Sequence, residues 1–289
     1  MNADDEGSRP RRRLFRRRAR GAGTPRFDLR KALFILPNAF TVSSIFCGFY
    51  AILRATSGEG PESFRQAGLA LFFACFFDVF DGRVARLTRT QSDFGVQIDS
   101  LADVISFGIA PAILSFGWGL APLGRLGWAA GFVFVTAAAM RLARFNIQSA
   151  PGGDKRYFAG MPSPAAAAIT AATVFFYPAG LSDYREALPA LAVVLVPAML
   201  MVSTIRFRSF KTIDLRTRRP YTVLLLIAAA IMLVTTHPRF VLVAMAYAYL
   251  ASAFIGIAIT RIRHRAGRGA ASGLGESPAA ASPRDRIGP

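Results

Sequence analysis

The 289 residues are 53% hydrophobic, with a mean hydropathy of +0.37 and a formal net charge of +18. This composition excludes an ordinary soluble domain, and its long apolar runs point to helices that cross a bilayer. The charge alone excludes little, because a basic balance fits a nucleic-acid partner or a membrane surface equally well.

Residues 1–28 are rich in arginine, contain Gly and Pro and have little apolar content, so they are expected to be disordered or to lie against lipid headgroups. Eight apolar stretches follow, at about 33–53, 66–81, 98–120, 126–147, 164–181, 188–205, 221–236 and 240–262. The second and seventh are short for a spanning helix. The first is longer than a typical signal-peptide core, and no small-residue cleavage site closes it, so it is read as an uncleaved helix. Residues 29–263 read as a single all-α, polytopic membrane domain, because no polar linker divides them. Residues 264–289, mostly Gly, Ala, Ser, Pro and Arg, read as a second disordered tail.

The charge is distributed by side. Eleven Lys or Arg precede Ala32, and the segments after the second, fourth, sixth and eighth stretches hold most of the others. The alternate segments hold only Arg54, Arg65, Arg125, Arg185 and Arg239, a split of 30 against 5. The positive-inside rule turns that split into a topology: a multi-pass protein of the cell (inner) membrane with both termini in the cytoplasm. Membrane lipids, some of them anionic, are then the partners of the basic surface. Nucleic acid is not expected as a partner, since the basic tail lacks an aromatic platform beyond Phe15.

Cys47 and Cys75 fall within predicted spans and read as packing residues, while His237 and His264 are far from any acidic cluster. A zinc centre is therefore not expected. The chemistry gathers instead at Asp78, Asp81, Asp99 and Asp103, which sit beside strongly apolar sequence. Ionisable residues in such surroundings are costly and point to function. Residues three and four apart share a helix face, so Asp78 pairs with Asp81 at the end of the second helix and Asp99 with Asp103 at the start of the third. A basic connection, with Arg83, Arg86 and Arg89, puts both pairs at the cytoplasmic side. Four carboxylates around one cavity cannot all stay ionised without cations, and oxygen-only ligands suit magnesium or manganese. Two ions would suit displacement at phosphorus. Gly82 and Ala85 keep one wall low for a phosphate or nucleotide, Arg86 is placed to pair with a diphosphate, and Gly95 is expected to let the second and third helices approach.

The pattern D-x2-D-G-x2-A-R-x8-G-x3-D-x3-D, from Asp78 to Asp103, resembles at every position the signature of the CDP-alcohol phosphatidyltransferase family. The resemblance implies a six-helix core, to which the eight stretches would add two C-terminal helices. It implies that Asp78, Asp81 and Asp99 are metal ligands and that Asp103 is both ligand and general base. Gly82, Arg86 and Ser92 would hold the CDP moiety of CDP-diacylglycerol, with Ala85 beside them. The segments Leu36–Phe49, Arg141–Asn146 and Tyr157–Ala165 resemble the bacterial and archaeal branch that forms phosphatidylserine.

That branch implies L-serine as acceptor and CMP as the second product. Asn38 and Thr41 are candidates for nucleotide contact, with helix–helix hydrogen bonding as the alternative. Arg141 and Arg144 are candidates for the serine carboxylate, with an interfacial anchor as the alternative. A homodimer is a further expectation. Glycerol 3-phosphate, inositol phosphate or an amino alcohol are rival acceptors on the same scaffold. A cation transporter is a rival of another class, disfavoured because the acids lie at helix ends and no repeat is evident.

Overall fold

The computed structural model describes residues 29–88, 92–149 and 160–203, most of 235–255 and a few isolated positions before it. The expected basic tails at 1–28 and 264–289, the connection around Arg206–Arg219 and most of the 221–236 stretch lie outside the described residues. Every regular element among the described residues is helical. They are α1 (Leu29–Thr56), α2 (Pro61–Thr88), α3 (Asp93–Leu123), α4 (Arg125–Ser149), α5 (Ser163–Phe176), α6 (Tyr184–Val202) and α7 (Pro238–Ser252).

Within α1, α3, α4 and α6 are four segments long and apolar enough to cross a membrane. Of the eight expected spans, four meet this measure among the described residues; α5 and α7 are apolar but shorter. The other difference is α2. It has 28 residues, but charge interrupts it at both ends, with Glu62 and Arg65 in its first turns and Asp78 to Arg86 in its last. Hydropathy marked only its apolar middle. Arg83 and Arg86, expected in a connection, lie on this helix, and Arg141 and Arg144 lie on α4. Helix α5 stops at Phe176 rather than 181, just before Pro178, which disfavours helical backbone in Tyr177.

Helix α3 is the most buried of the four and forms the centre of the bundle. Its winding is uneven. It is α-helical over Asp93–Asp103, widens into a π-helical stretch at Val104–Ile109, returns to α and widens again at Phe116–Leu120. Both wide stretches lie in the turn before a proline, Pro111 or Pro122. A proline gives no N–H to the carbonyl four residues back and crowds it, and a wider turn relieves the crowding.

Small residues let the other helices approach α3. A Cβ on Gly48 of α1 would meet Ser106 Oγ at 2.7 Å and its Cα at 2.9 Å. Across this contact Ser106 Oγ donates to Ser44 O at 3.0 Å. Packing of small residues and interhelical hydrogen bonds replaces the hydrophobic drive that is absent in lipid, each such bond contributing on average about 0.6 kcal/mol. Helix α1 also pairs along its length with α2, which packs on α5, while α4 packs on α6. Large apolar side chains such as Phe46, Phe49, Phe73 and Phe132 point outward, as a bilayer neighbour requires.

Candidate active site

Helices α2 and α3 carry the acids, one pair each. On α3 the start is set by Ser92, whose Oγ accepts from Gly95 N at 3.0 Å and caps the helix. Asp99 and Asp103 then follow at successive turns. Asp78 of α2 meets them: carboxylate oxygens of Asp78, Asp99 and Asp103 lie within 4.8 Å of one another. Asp99 Oδ1 and Asp103 Oδ1 are buried without a hydrogen-bond donor. Three converging carboxylates with unsatisfied oxygens make a poor structural cluster and a good cation site, so the residues fit a divalent metal.

Asp81 stands apart from that trio. It is buried, and its Oδ2 accepts from Thr41 Oγ1 of α1 at 3.0 Å. Asp81 and Asp99 form the polar side of a cleft that Asn38, Thr41, Gly82, Ala85 and Ser92 also line. Five of the six residues that the sequence singled out for the donor nucleotide thus share one cleft. Arg86 does not line it, but its Nη2 lies 3.9 Å from where a Gly82 Cβ would be, with nothing nearer. Gly82 is therefore open space beneath an exposed guanidinium. Gly95 corrects an expectation: a Cβ there would meet Ser92 Oγ at 3.2 Å and Asn38 Oδ1 at 3.6 Å. Its smallness admits α1, not α2.

The two candidate acceptor arginines separate. Arg141 lies in the electrostatic neighbourhood of Asp78 and Asp103 and donates from Nη1 to Ser163 Oγ at 2.9 Å. Arg144, one turn later, donates to Val202 O at 3.2 Å and so braces the end of α6. Sequence reasoning did not single out Ser163, Ser100 or Tyr249. Ser100 accepts from Asn146 Nδ2 at 3.0 Å, tying α4 to α3 beside Asp99. Tyr249 of α7 lies in the electrostatic neighbourhood of Arg141. These relations are tertiary, and no local pattern announces them.

The family model for CDP-alcohol phosphatidyltransferase matches residues 34–205, which include both acid pairs, the cleft and both arginines. The chain belongs to that family. It is a phosphotransferase that moves a phosphatidyl group from CDP-diacylglycerol to an alcohol, and it is a multi-pass membrane protein. Among curated proteins it is similar to a CDP-diacylglycerol–serine O-phosphatidyltransferase of Helicobacter pylori, with 41% identity over 183 residues, 63% of this chain and 75% of the relative. Proteins of the same name from Mycobacterium leprae and Bacillus subtilis are 38% and 31% identical. The first match covers 46% of this chain and 44% of the relative, the second 61% and 91%. Helix α7 lies beyond the segment matched to the phosphatidyltransferase family.

Proposed function

We propose that the acceptor alcohol is L-serine and that the products are phosphatidylserine and CMP. The observation that favours this reading is Arg141, a guanidinium in the electrostatic neighbourhood of Asp78 and Asp103 and suited to bind the carboxylate of an acceptor. The names of the curated relatives support it.

Asp78, Asp81, Asp99 and Asp103 would hold two divalent ions, Mg2+ or Mn2+. Bound there, such ions supply charge stabilisation for the attacking and leaving oxygens of a displacement at phosphorus. Asn38, Gly82, Ala85 and Ser92 shape the cleft for the cytidine diphosphate, and Arg86 neutralises its phosphates from above. Arg141 orients serine by its carboxylate. Asp103 takes the proton from the serine hydroxyl, whose oxygen bonds to the phosphorus bearing diacylglycerol. The bond from that phosphorus to the CMP oxygen breaks, and CMP leaves.

The membrane part of the proposal is eight spans, six in the family core and two C-terminal, in the inner membrane with both termini cytoplasmic. Residues 29–263 form the catalytic domain, between the two basic tails. The 30-to-5 charge split supports this, and it puts the acids where serine and CDP-lipids meet. A homodimer is tested separately, by cross-linking in membranes.

Purified protein given CDP-diacylglycerol and each candidate alcohol, with and without chelator, tests the reaction. CMP release with serine, lost on chelation and restored by magnesium or manganese, is the expected result. Release with glycerol 3-phosphate or inositol phosphate and none with serine would move the assignment to that acceptor.

A further inference from the structure

We propose that Thr41 is a positioning residue for Asp81, holding the fourth carboxylate out of the acidic trio so that it faces the nucleotide cleft. The inference rests on the cation-binding reading of the four aspartates and assigns a role to a residue of a different helix.

Asp78 and Asp81 are three residues apart on α2 and share a face, so spacing alone would deliver both to the same point. Yet the oxygens that converge are those of Asp78, Asp99 and Asp103. Asp81 is instead bonded through Oδ2 to Thr41 Oγ1, 3.0 Å away, and both residues are about 5% exposed or less. At that burial a carboxylate oxygen needs a donor, and Thr41 is the side chain across the α1–α2 interface that gives one. The bond fixes the rotation of the carboxylate. Held so, Asp81 lines the cleft together with Asp99, Gly82 and Ser92.

Thr41 Oγ1 is also 3.2 Å from Pro37 O, one turn back on α1. The hydroxyl has a single proton, and it is shared between the two acceptors. Its orientation is therefore set from its own helix as well as by Asp81. Groups that orient metal ligands in this way typically change affinity by about 10- to 100-fold when they are removed.

The test uses the full chain in lipid nanodiscs, with Mn2+ binding followed by paramagnetic resonance and calorimetry in the absence of substrate. Thr41→Val keeps the shape and removes the hydroxyl; Thr41→Ser keeps the hydroxyl. The expected result is that Val weakens one class of Mn2+ sites by about tenfold or more. Ser should restore it, and the kcat losses should follow the same order at fixed Mn2+. Adding Thr41→Val to Asp81→Asn should then cause no further loss of Mn2+ affinity. That double variant also decides the matter if Thr41→Val alone folds poorly. Unchanged Mn2+ affinity in Thr41→Val, or additive losses in the double variant, overturns the role of Thr41. Absence of Mn2+ binding by the unaltered protein overturns the cation reading itself, a separate outcome.

Discussion

Arg141 and Arg144, one turn apart on α4, spend their guanidinium groups on opposite partners: Arg141 on Ser163 Oγ at 2.9 Å and Arg144 on Val202 O at 3.2 Å. Arg141 also lies in the electrostatic neighbourhood of Asp78 and Asp103, whereas Arg144 ties two helices together.

Kinetics should separate them. Arg141→Ala should raise the KM for serine by about 10- to 100-fold, the worth of a charge-assisted hydrogen bond, with little change in the KM for CDP-diacylglycerol. Arg144→Ala should leave the serine KM within about threefold and lower the thermal midpoint instead, since it removes a bond that braces α6. The reverse pattern would exchange the two roles.

Asp103→Asn keeps the size of the side chain and removes the base. Turnover should fall by about 10²- to 10⁴-fold while CDP-diacylglycerol binding is largely kept. Asp78→Asn, at the junction of the trio, should weaken Mn2+ and donor binding as well as turnover. Equal and small losses in both would separate these acids from the chemistry. Direct binding of labelled CDP-diacylglycerol, alongside rates of CMP release, makes the distinction.

Gly48→Ala tests the packing that presents α3. The added Cβ would stand 2.9 Å from the Cα of Ser106, a backbone atom that cannot rotate away. The α1–α3 contact must open, at a cost of about 1–3 kcal/mol. A lower unfolding temperature in detergent is the expected reading, with Gly68→Ala, 3.1 Å from Ala171 O, as a parallel case at the α2–α5 contact.

The four aspartates and the glycine between them were legible in the sequence, because their spacing is local and a helix converts spacing into a shared face. The helix ends were not. Hydropathy reports how much of a helix touches lipid, so α2 seemed to stop at Asp81 when its backbone runs to Thr88 through exposed Arg83 and Arg86. Gly95 advertised a close approach but not the identity of the neighbour, which proved to be Asn38 of α1. The separation of Asp81 from the other acids was invisible for a similar reason. It depends on Thr41, 40 residues earlier, and only the packed pair of helices brings the two together.

Topology can be checked without any reference to the reaction. With Cys47 and Cys75 replaced, a cysteine at Ser182 should react with an impermeant reagent in intact cells, and one at Thr212 should not. Ser182 directly precedes the Asp183–Glu186 segment assigned to the outside, and Thr212 belongs to the basic 206–219 segment assigned to the cytoplasm. Labelling at Thr212 from outside would turn the acids away from cytosolic serine and remove the synthase assignment.

The wide turn at Val104–Ile109, directly after Asp103, has a mechanical consequence. A π-helical stretch advances around the axis by less per residue than the roughly 100° of an α-helix, so it inserts a phase shift between the parts on either side. The acids of α3 lie before this stretch, while the half from Ala110 onward is set by its packing partners in the bundle. Each half meets its own neighbours without dictating the azimuth of the other. Removing one residue from this stretch would let it tighten to regular winding with both halves near their present azimuths, whereas the same deletion in the α-helical part would swing the following half by about 100° and unmesh its contacts.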